Sequence, residues 1–288
     1  MPVAEIDPPN DASPASLMKS RRYNGICREY TISMEKRHED VVVAQFGSKA
    51  ADYVTSAVHA QGADLEAIKR VAGGMAVGRA LDLGCGGGHV SFALAPFAEN
   101  VIAYDLSIEM LDAVRASALQ RGLANIATSC GPAETLPFED HSFDLVVSRF
   151  SAHHWRDVAR GLAEARRVLK PNGVAMFVDV VAPETTLFDT FLQTIELLRD
   201  PSHVRDYASS EWRGLLTGAG FAIEDITMRR LPLEFSSWIA RMGTPQARAD
   251  VIRALHTEMA AEVRTYFELT PAGDFTVDTM DIRARPQS

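Results

Sequence analysis

Apolar and polar positions follow two rhythms through the middle of this chain. Between residues 80 and 182, short apolar runs alternate with stretches in which apolar side chains return every three or four positions. The segments "ALDLG", "VIAYDLS", "IATSCG", "FDLVVSRF" and "VAMFVDVV" predict strands. Between them, "HVSFALAPFA", "SIEMLDAVRASALQRG" and "DVARGLAEARRVL" predict helices, the second opening at Ser107 as N-cap with Glu109 in its first turn. Pro171-Asn172-Gly173 predicts a turn. Continuous apolar runs suit strands covered on both faces by helices. A β/α alternation of this kind predicts a doubly wound sheet that takes ligands at the carboxyl ends of its strands.

The flanks read differently. "SKAADYVTSAVHA" and "ADLEAIKRVAG" predict helices ahead of the first strand. After the last of the five runs, residues 184–219 read as mostly helical around the loop "DPSHVRDY". "FAIEDITMRRL" reads as a strand, 235–268 as helical again, and "DFTVDTMDIRA" as a closing strand. Residues 1–17, rich in Pro, Asp, Ala and Ser, can bury little apolar surface. The expected organisation is a disordered or extended arm over 1–33 and one domain over 34–288. That domain carries helical insertions at about 184–210 and 233–270.

Composition narrows the function. Of 288 residues, 47% are hydrophobic and 23% charged, an ordinary globular balance. The net charge of −9 argues against nucleic acid as partner, which calls for a basic face. Cys27, Cys85 and Cys130 have no metal-type spacing, and an odd count does not suggest a disulfide framework. The N-terminus lacks the pattern of a secretory signal, and no apolar stretch reaches the roughly 18 residues of a membrane span. A cytoplasmic protein with no membrane partner is expected.

The segment "ALDLGCGGGHVSF" raises the question of what its glycines hold. A P-loop would need Gly-Lys-Ser/Thr, which is missing. A dinucleotide loop needs a small third position, and His89 stands there. Asp105 ends the second strand, where a carboxylate can accept both ribose hydroxyls of NAD or of an adenosine without phosphates.

Downstream come "GPAETLPFEDHSFDLVVSRFSAHHW" and "RRVLKPNG". In this order and spacing, from about Gln45 to Asp179, the set resembles class I S-adenosylmethionine (SAM)-dependent methyltransferases. The likeness is to the small-molecule type that includes the ubiquinone and menaquinone biosynthesis enzymes. The resemblance implies a Rossmann-like doubly wound seven-stranded α/β sheet with helical lid insertions, and SAM as cofactor. It implies that Asp82, Gly84, Cys85 and Gly86 surround the methionine part and that Asp105 holds the ribose. Leu106 and Met110 would flank the adenine, and Ala133 and Glu134 would face its edge. Ser148 and Arg149 would lie near the amino and carboxylate groups. Pro132 departs from the pattern, standing where many relatives carry an adenine-binding Asp. Asp82 has an alternative reading as a tie for the loop, and Cys85 as a small packing residue.

Methyl transfer asks the protein to position an acceptor and remove its proton. His153 and His154 follow the fourth strand, and Asp179 ends the fifth. A neutral His oriented by a carboxylate suits a general base near pH 7. His153 is the expected base, Asp179 its orienter and His154 the next choice. The competing reading makes the histidines caps of a helix starting near Trp155. No metal is expected, because the Asp and Asn cluster of the catechol type is not found. Phe235, Trp238, Ile239, Met242 and Phe267 predict an apolar lid over a hydrophobic or aromatic acceptor, or else a dimer face or more core. His203, Arg205 and Tyr207 suit either substrate contact or surface pairing. Methylation of oxygen is slightly favoured, with nitrogen and carbon open. The alternatives are a SAM-fold cyclase or isomerase, which would leave product mass without an added methyl, and an NAD-dependent oxidoreductase.

Overall fold

A computed structural model describes residues 36–47 and 62–287, which belong to one compact unit, Lys36–Ser288. The arm expected over 1–33, Cys27 and the helix expected over 48–60 lie outside the described residues.

The strands are β1 (Val77–Leu83), β2 (Ala98–Asp105), β3 (Ile126–Cys130), β4 (Phe143–Arg149), β5 (Leu169–Ala182), β6 (Tyr207–Ala208), β7 (Phe221–Leu233) and β8 (Phe275–Pro286). All eight belong to one sheet, seven of them in the order β3-β2-β1-β4-β5-β8-β7. The two-residue β6, not anticipated from sequence, pairs with β5. β1 to β5 are parallel, whereas β8 runs antiparallel to both β5 and β7. Strand order reverses between β1 and β4, so their carboxyl ends flank the crevice where such sheets take ligands.

The helices are α1 (His38–Gly47), α2 (Ala63–Gly73), α3 (His89–Leu94), α4 (Ile108–Gln120), α5 (Val158–Val168), α6 (Thr186–Arg199), α7 (Ser209–Gly218), α8 (Phe235–Met242), α9 (Gln246–Glu258) and α10 (Ala261–Tyr266). Pleat alternation sends Leu145 and Val147 of β4 to one face, against α2 and α3. Val146 goes to the other, against Leu162 and Ala165 of α5 and Trp212 of α7. Burying both faces is what makes these strands read as unbroken apolar runs.

Helix starts follow their caps. The Ser107 hydroxyl accepts from Met110 N–H at 3.2 Å, as predicted. Asp157 accepts from Arg160 N–H at 3.0 Å and opens α5. The helix thus begins at Val158, and Ala152–His154 form only a 3-10 turn. The histidines do not cap it. Pro171–Gly173, expected as a turn, instead lie inside β5 as the extra residues of a register shift, where Phe143 pairs with Leu169 but Leu145 pairs with Val174.

Candidate active site

The loop after β1 is shaped by glycines at positive φ. Gly84 has φ +75°, and a Cβ there would stand 1.8 Å from Ser151 Oγ. Only glycine lets the loop after β1 and the loop after β4 approach so closely. Gly86, at φ +47°, faces open space within 4 Å of where its Cβ would be. That space belongs to a cleft of about 1110 Å³ at the carboxyl ends of β1, β2 and β4.

Most residues expected to hold a cofactor meet there: Asp82, Gly84, Cys85, Gly86, Asp105, Leu106, Met110, Ala133, Glu134 and Arg149 all line this cleft. Asp105 accepts from Gly86 N–H at 2.8 Å and from Ser107 N–H at 3.0 Å, so the same carboxylate shapes the glycine loop and caps the entrance to α4. Burial raises its pKa against those bonds. Asp82 is buried, and its Oδ2 accepts from the Ser91 hydroxyl at 2.6 Å and the Ser91 N–H at 2.9 Å. The tie between β1 and α3 is therefore built, while Asp82 remains on the cleft wall. Its pKa is pushed up to about 7 by desolvation, which the Ser91 bonds oppose. Glu134 accepts from Asp157 N–H at 3.1 Å. Cys85 is buried, with burial raising its thiol well above the usual range, which suits packing and not nucleophilic attack.

One expected residue is not brought to the site. Ser148 points into the packed sheet, is 2% exposed, and lines neither the cleft nor its neighbour. Its position on β4 alternates away from Arg149, which does reach the opening. Arg149 Nε donates to Asp64 of α2 at 2.5 Å. α1 adds wall that no motif marks: His38, Val42 and Phe46 line the cleft, and His38 Nε2 donates to the His154 carbonyl at 2.9 Å.

A second cavity, of about 1210 Å³, adjoins the first and shares Phe46, Arg149, Phe150 and His154 with it. His153 lies on it, its Nδ1–H donating to Asp179 Oδ1 at 2.5 Å. Asp179 also accepts from Val180 N–H at 2.9 Å and His153 N–H at 3.3 Å. Burial alone would lower the His153 pKa, but the Asp179 charge and hydrogen bond outweigh it. With Asp206 and Glu196 behind them, they hold it up at about 9. The ring is thus charged at neutral pH, in contrast to the neutral ring expected from sequence. His154 is pushed down to about 4 by burial and by the His153 charge, and its Nδ1–H donates to the Ser202 carbonyl at 3.1 Å.

The lid residues divide. Trp238 and Met242 line the second cavity, with Leu231 and Leu233 of β7. Phe235 and Phe267 instead fill a core cluster with Phe191 and Phe275, and Ile239 packs against it. Charged residues also reach the cavity, among them Arg199, Arg229, Arg230, Glu196, Asp200 and Asp206. Of the "SHVRDY" loop, Arg205 pairs with Asp189 and Glu211, and His203 bonds Gln193. Asp206, which sequence patterning does not single out, is the member that faces the cavity. Among the described residues, one group of three metal-competent side chains has its ligand atoms within 4.8 Å of one another: His153, Asp179 and Asp206. No helix among the described residues is long and apolar enough to cross a membrane.

A reversed strand order, a glycine loop at the end of β1 and a carboxylate at the end of β2 define a Rossmann-like cofactor-binding enzyme. A family model described as a methyltransferase domain matches residues 81–177, and the chain belongs to this family of class I methyltransferases, whose cofactor is SAM. It is 49% identical over 197 residues to the uncharacterized protein YafE of Escherichia coli, covering 68% of this chain and 95% of that protein. It is 37% identical over 225 residues to the uncharacterized methyltransferase YcgJ of Bacillus subtilis, covering 78% of this chain and 89% of the relative. The crystal structure of YcgJ superposes with a TM-score of 0.75 over 78% of this chain and 98% of that one, at 35% identity. The crystal structure of a putative methyltransferase from Bacillus halodurans gives 0.76 over 79% of this chain and 100% of that one, at 32% identity.

Proposed function

We propose that this enzyme methylates a small organic acceptor with a hydrophobic or aromatic body, oxygen being slightly favoured as the methylated atom. In this reading the acceptor occupies the second cavity, and His153, held by Asp179, removes its proton without a metal. The carrying observation is the 2.5 Å bond between His153 and Asp179 on a cavity that shares a wall with the cofactor cleft. Trp238, Leu231, Leu233 and Met242 supply apolar wall for the acceptor's body. The helical segments at about 184–210 and 233–270 serve as the lid that keeps water out.

The residues present fit SAM. The open space at Gly86 admits the methionine part against the loop backbone, with Asp82, Gly84, Cys85 and Arg149 around it. Asp105 keeps lone pairs for ribose hydroxyls beyond the two it spends on backbone N–H groups. Leu106 and Met110 offer apolar contact to the adenine, and Ala133 and Glu134 reach its edge. When bound, SAM supplies a methyl group already activated by its sulfonium for in-line displacement. The chain's share is to align the acceptor, exclude water and take a proton.

A base with a pKa of about 9 is strong but scarce at neutral pH, where about one ring in a hundred is neutral. The reaction therefore quickens with pH until about 9. The test is mass spectrometry of a panel of phenols, alcohols and amines incubated with methyl-deuterated SAM. A product heavier by one labelled methyl is expected; at pH 9, where the wild-type ring is about half neutral, His153→Ala slows it roughly a hundredfold or more and Asp179→Asn, leaving a weaker base, about tenfold or more. Near-wild-type turnover by both variants would sink the base assignment. A product with no added methyl would favour the cyclase or isomerase reading.

A further inference from the structure

The segment between α6 and β6 is fastened to the residue proposed as base. Val204 and Arg205 N–H groups both donate to the His153 carbonyl, at 2.8 and 3.3 Å. One side chain of α6 then fixes Asp206 from both ends. Gln193 Nε2 donates to the Asp206 carbonyl at 2.8 Å, and Gln193 Oε1 accepts from the Asp206 N–H at 3.1 Å. His203 Nε2–H donates to the same Oε1 at 3.0 Å, and its ring centre lies 5.8 Å from that of His153. Burial and the neighbouring cations hold His203 far below the ordinary histidine range, so it buttresses as a neutral ring.

All of this fixes the backbone of Asp206 and leaves its carboxyl group unspent. The residue is 2% exposed, yet it lies on the wall of the second cavity. Its Oδ2 is buried with no hydrogen-bond partner, and His203 Nε2, at 3.9 Å, is too far to bond it. One of its oxygens falls within 4.8 Å of a His153 ring nitrogen and an Asp179 oxygen. A buried, unsatisfied acceptor is costly, and native structures keep one only for a reason. A carboxyl aimed beside a proposed base, on a backbone clamped at both polar groups, has its reason in what enters the cavity.

We propose that Asp206 contacts the methyl acceptor, its unpartnered oxygen accepting a hydrogen bond from a donor beside the atom that is methylated. The proposal rests on the reading that the second cavity receives the acceptor. It also narrows the acceptor's chemistry. His153 needs one hydrogen and Asp206 a second, so the acceptor presents two adjacent donor hydrogens at this end of the cavity. A primary amine does so on one atom, and a hydroxyl with a neighbouring hydroxyl does so on two. Burial raises the Asp206 carboxyl well above its ordinary pKa against the pull of the His153 charge, and a bound donor offsets the cost of leaving its oxygen bare.

The experiment titrates the full chain, saturated with S-adenosylhomocysteine, with benzylamine, catechol and phenol in turn. Wild-type protein, Asp206→Asn and Asp206→Ala are compared by calorimetry. Benzylamine or catechol is expected to bind the wild type, to weaken about tenfold or more in Asp206→Ala, and to weaken less in Asp206→Asn, whose amide oxygen still accepts. Phenol, with one donor, is expected to change less than threefold. Affinity for S-adenosylhomocysteine stays within twofold, since Asp206 does not line that cleft. Melting temperatures, expected to hold or rise in the variants, report any loss of fold. Unchanged two-donor binding in both folded variants overturns the Asp206 assignment and leaves the His153–Asp179 reading intact. Failure of every probe to bind the wild type overturns the cavity reading and the assignment with it. If two-donor binding vanishes in EDTA and returns with Mg²⁺, Asp206 is a metal ligand and the proposal is wrong.

Discussion

Replacing Asp179 by asparagine removes a charge and leaves the side-chain shape almost unchanged. The carboxylate receives the His153 Nδ1–H and two backbone N–H groups, and an amide oxygen still reaches part of that set. What vanishes is the anion that holds the ring charged. The His153 pKa stands at about 9 against an ordinary 6.5, which corresponds to about 3 kcal/mol favouring the imidazolium. Asp206 and Glu196 add to that pull, while burial works against it. With Asp179 neutral, burial is opposed only by the weaker pull of Asp206 and Glu196, and the ring titrates well below its wild-type midpoint. The consequence for stability has a definite sign. A group whose folded pKa exceeds its unfolded one stabilises below the unfolded value, and the gain fades as pH rises through the folded value. Wild type should therefore exceed Asp179→Asn by about 3 kcal/mol at pH 6, with the gap closing by about pH 9 to 10. Nitrogen-labelled histidine followed by NMR reads the ring directly, the His153 signal being the one lost in His153→Gln. Urea denaturation at pH 6 and pH 9.5 reads the linkage. A wild-type midpoint near 6.5, or one that Asp179→Asn leaves in place, would refute the reasoning.

Three further substitutions probe the cofactor cleft. Gly84→Ala forces a Cβ to within 1.8 Å of Ser151 Oγ at φ +75°, whereas Gly86→Ala meets no atom within 4 Å. The first should cost about 3 kcal/mol or more and the second about 1 to 2, read as melting-point losses near 10 °C and a few degrees; equal losses would contradict the close approach. Asp105→Ala strips the acceptor from two backbone N–H groups and from the ribose. Calorimetry should show S-adenosylhomocysteine binding weakened at least about a hundredfold, with no NAD binding in the wild type. NAD binding by the wild type would mean that the loop accommodates a pyrophosphate.

The parallel half of the sheet was legible because burial on both faces leaves unbroken apolar runs between helical rhythms. Ser107, Asp105 and the glycines of the β1 loop announce themselves by type and spacing. His153 and Asp179 could be placed on neighbouring strands, so their proximity was inferable, but their mutual electrostatics were not, nor that β5 runs past Asp179 to Ala182. The short loop from Ser151 to Asp157 shows the limit. Two histidines before a helix resemble caps, and only the hydrogen bond of Asp157 reveals that the helix starts later. Ser148 fails for a related reason: at a strand's end, one residue decides which face a side chain takes. Asp206 was hidden because its placement on the cavity wall comes from Gln193, thirteen residues earlier, and from the His153 carbonyl that holds Val204 and Arg205. Of the apolar residues expected as a lid, a dimer face or more core, Phe235 and Phe267 pack into a core cluster, and Trp238 and Met242 line the cavity.

The wall made by Phe46, Arg149, Phe150 and His154 belongs to both cavities. Occupants of rooms that share a wall cannot be indifferent to each other. Any shift of these four side chains on loading one side alters the shape offered on the other, so the two affinities form a single thermodynamic cycle. Whatever factor the nucleoside contributes to acceptor affinity, the acceptor must return in full. If the methylated product and the spent nucleoside take the two cavities as proposed, their affinities are coupled through those same four side chains.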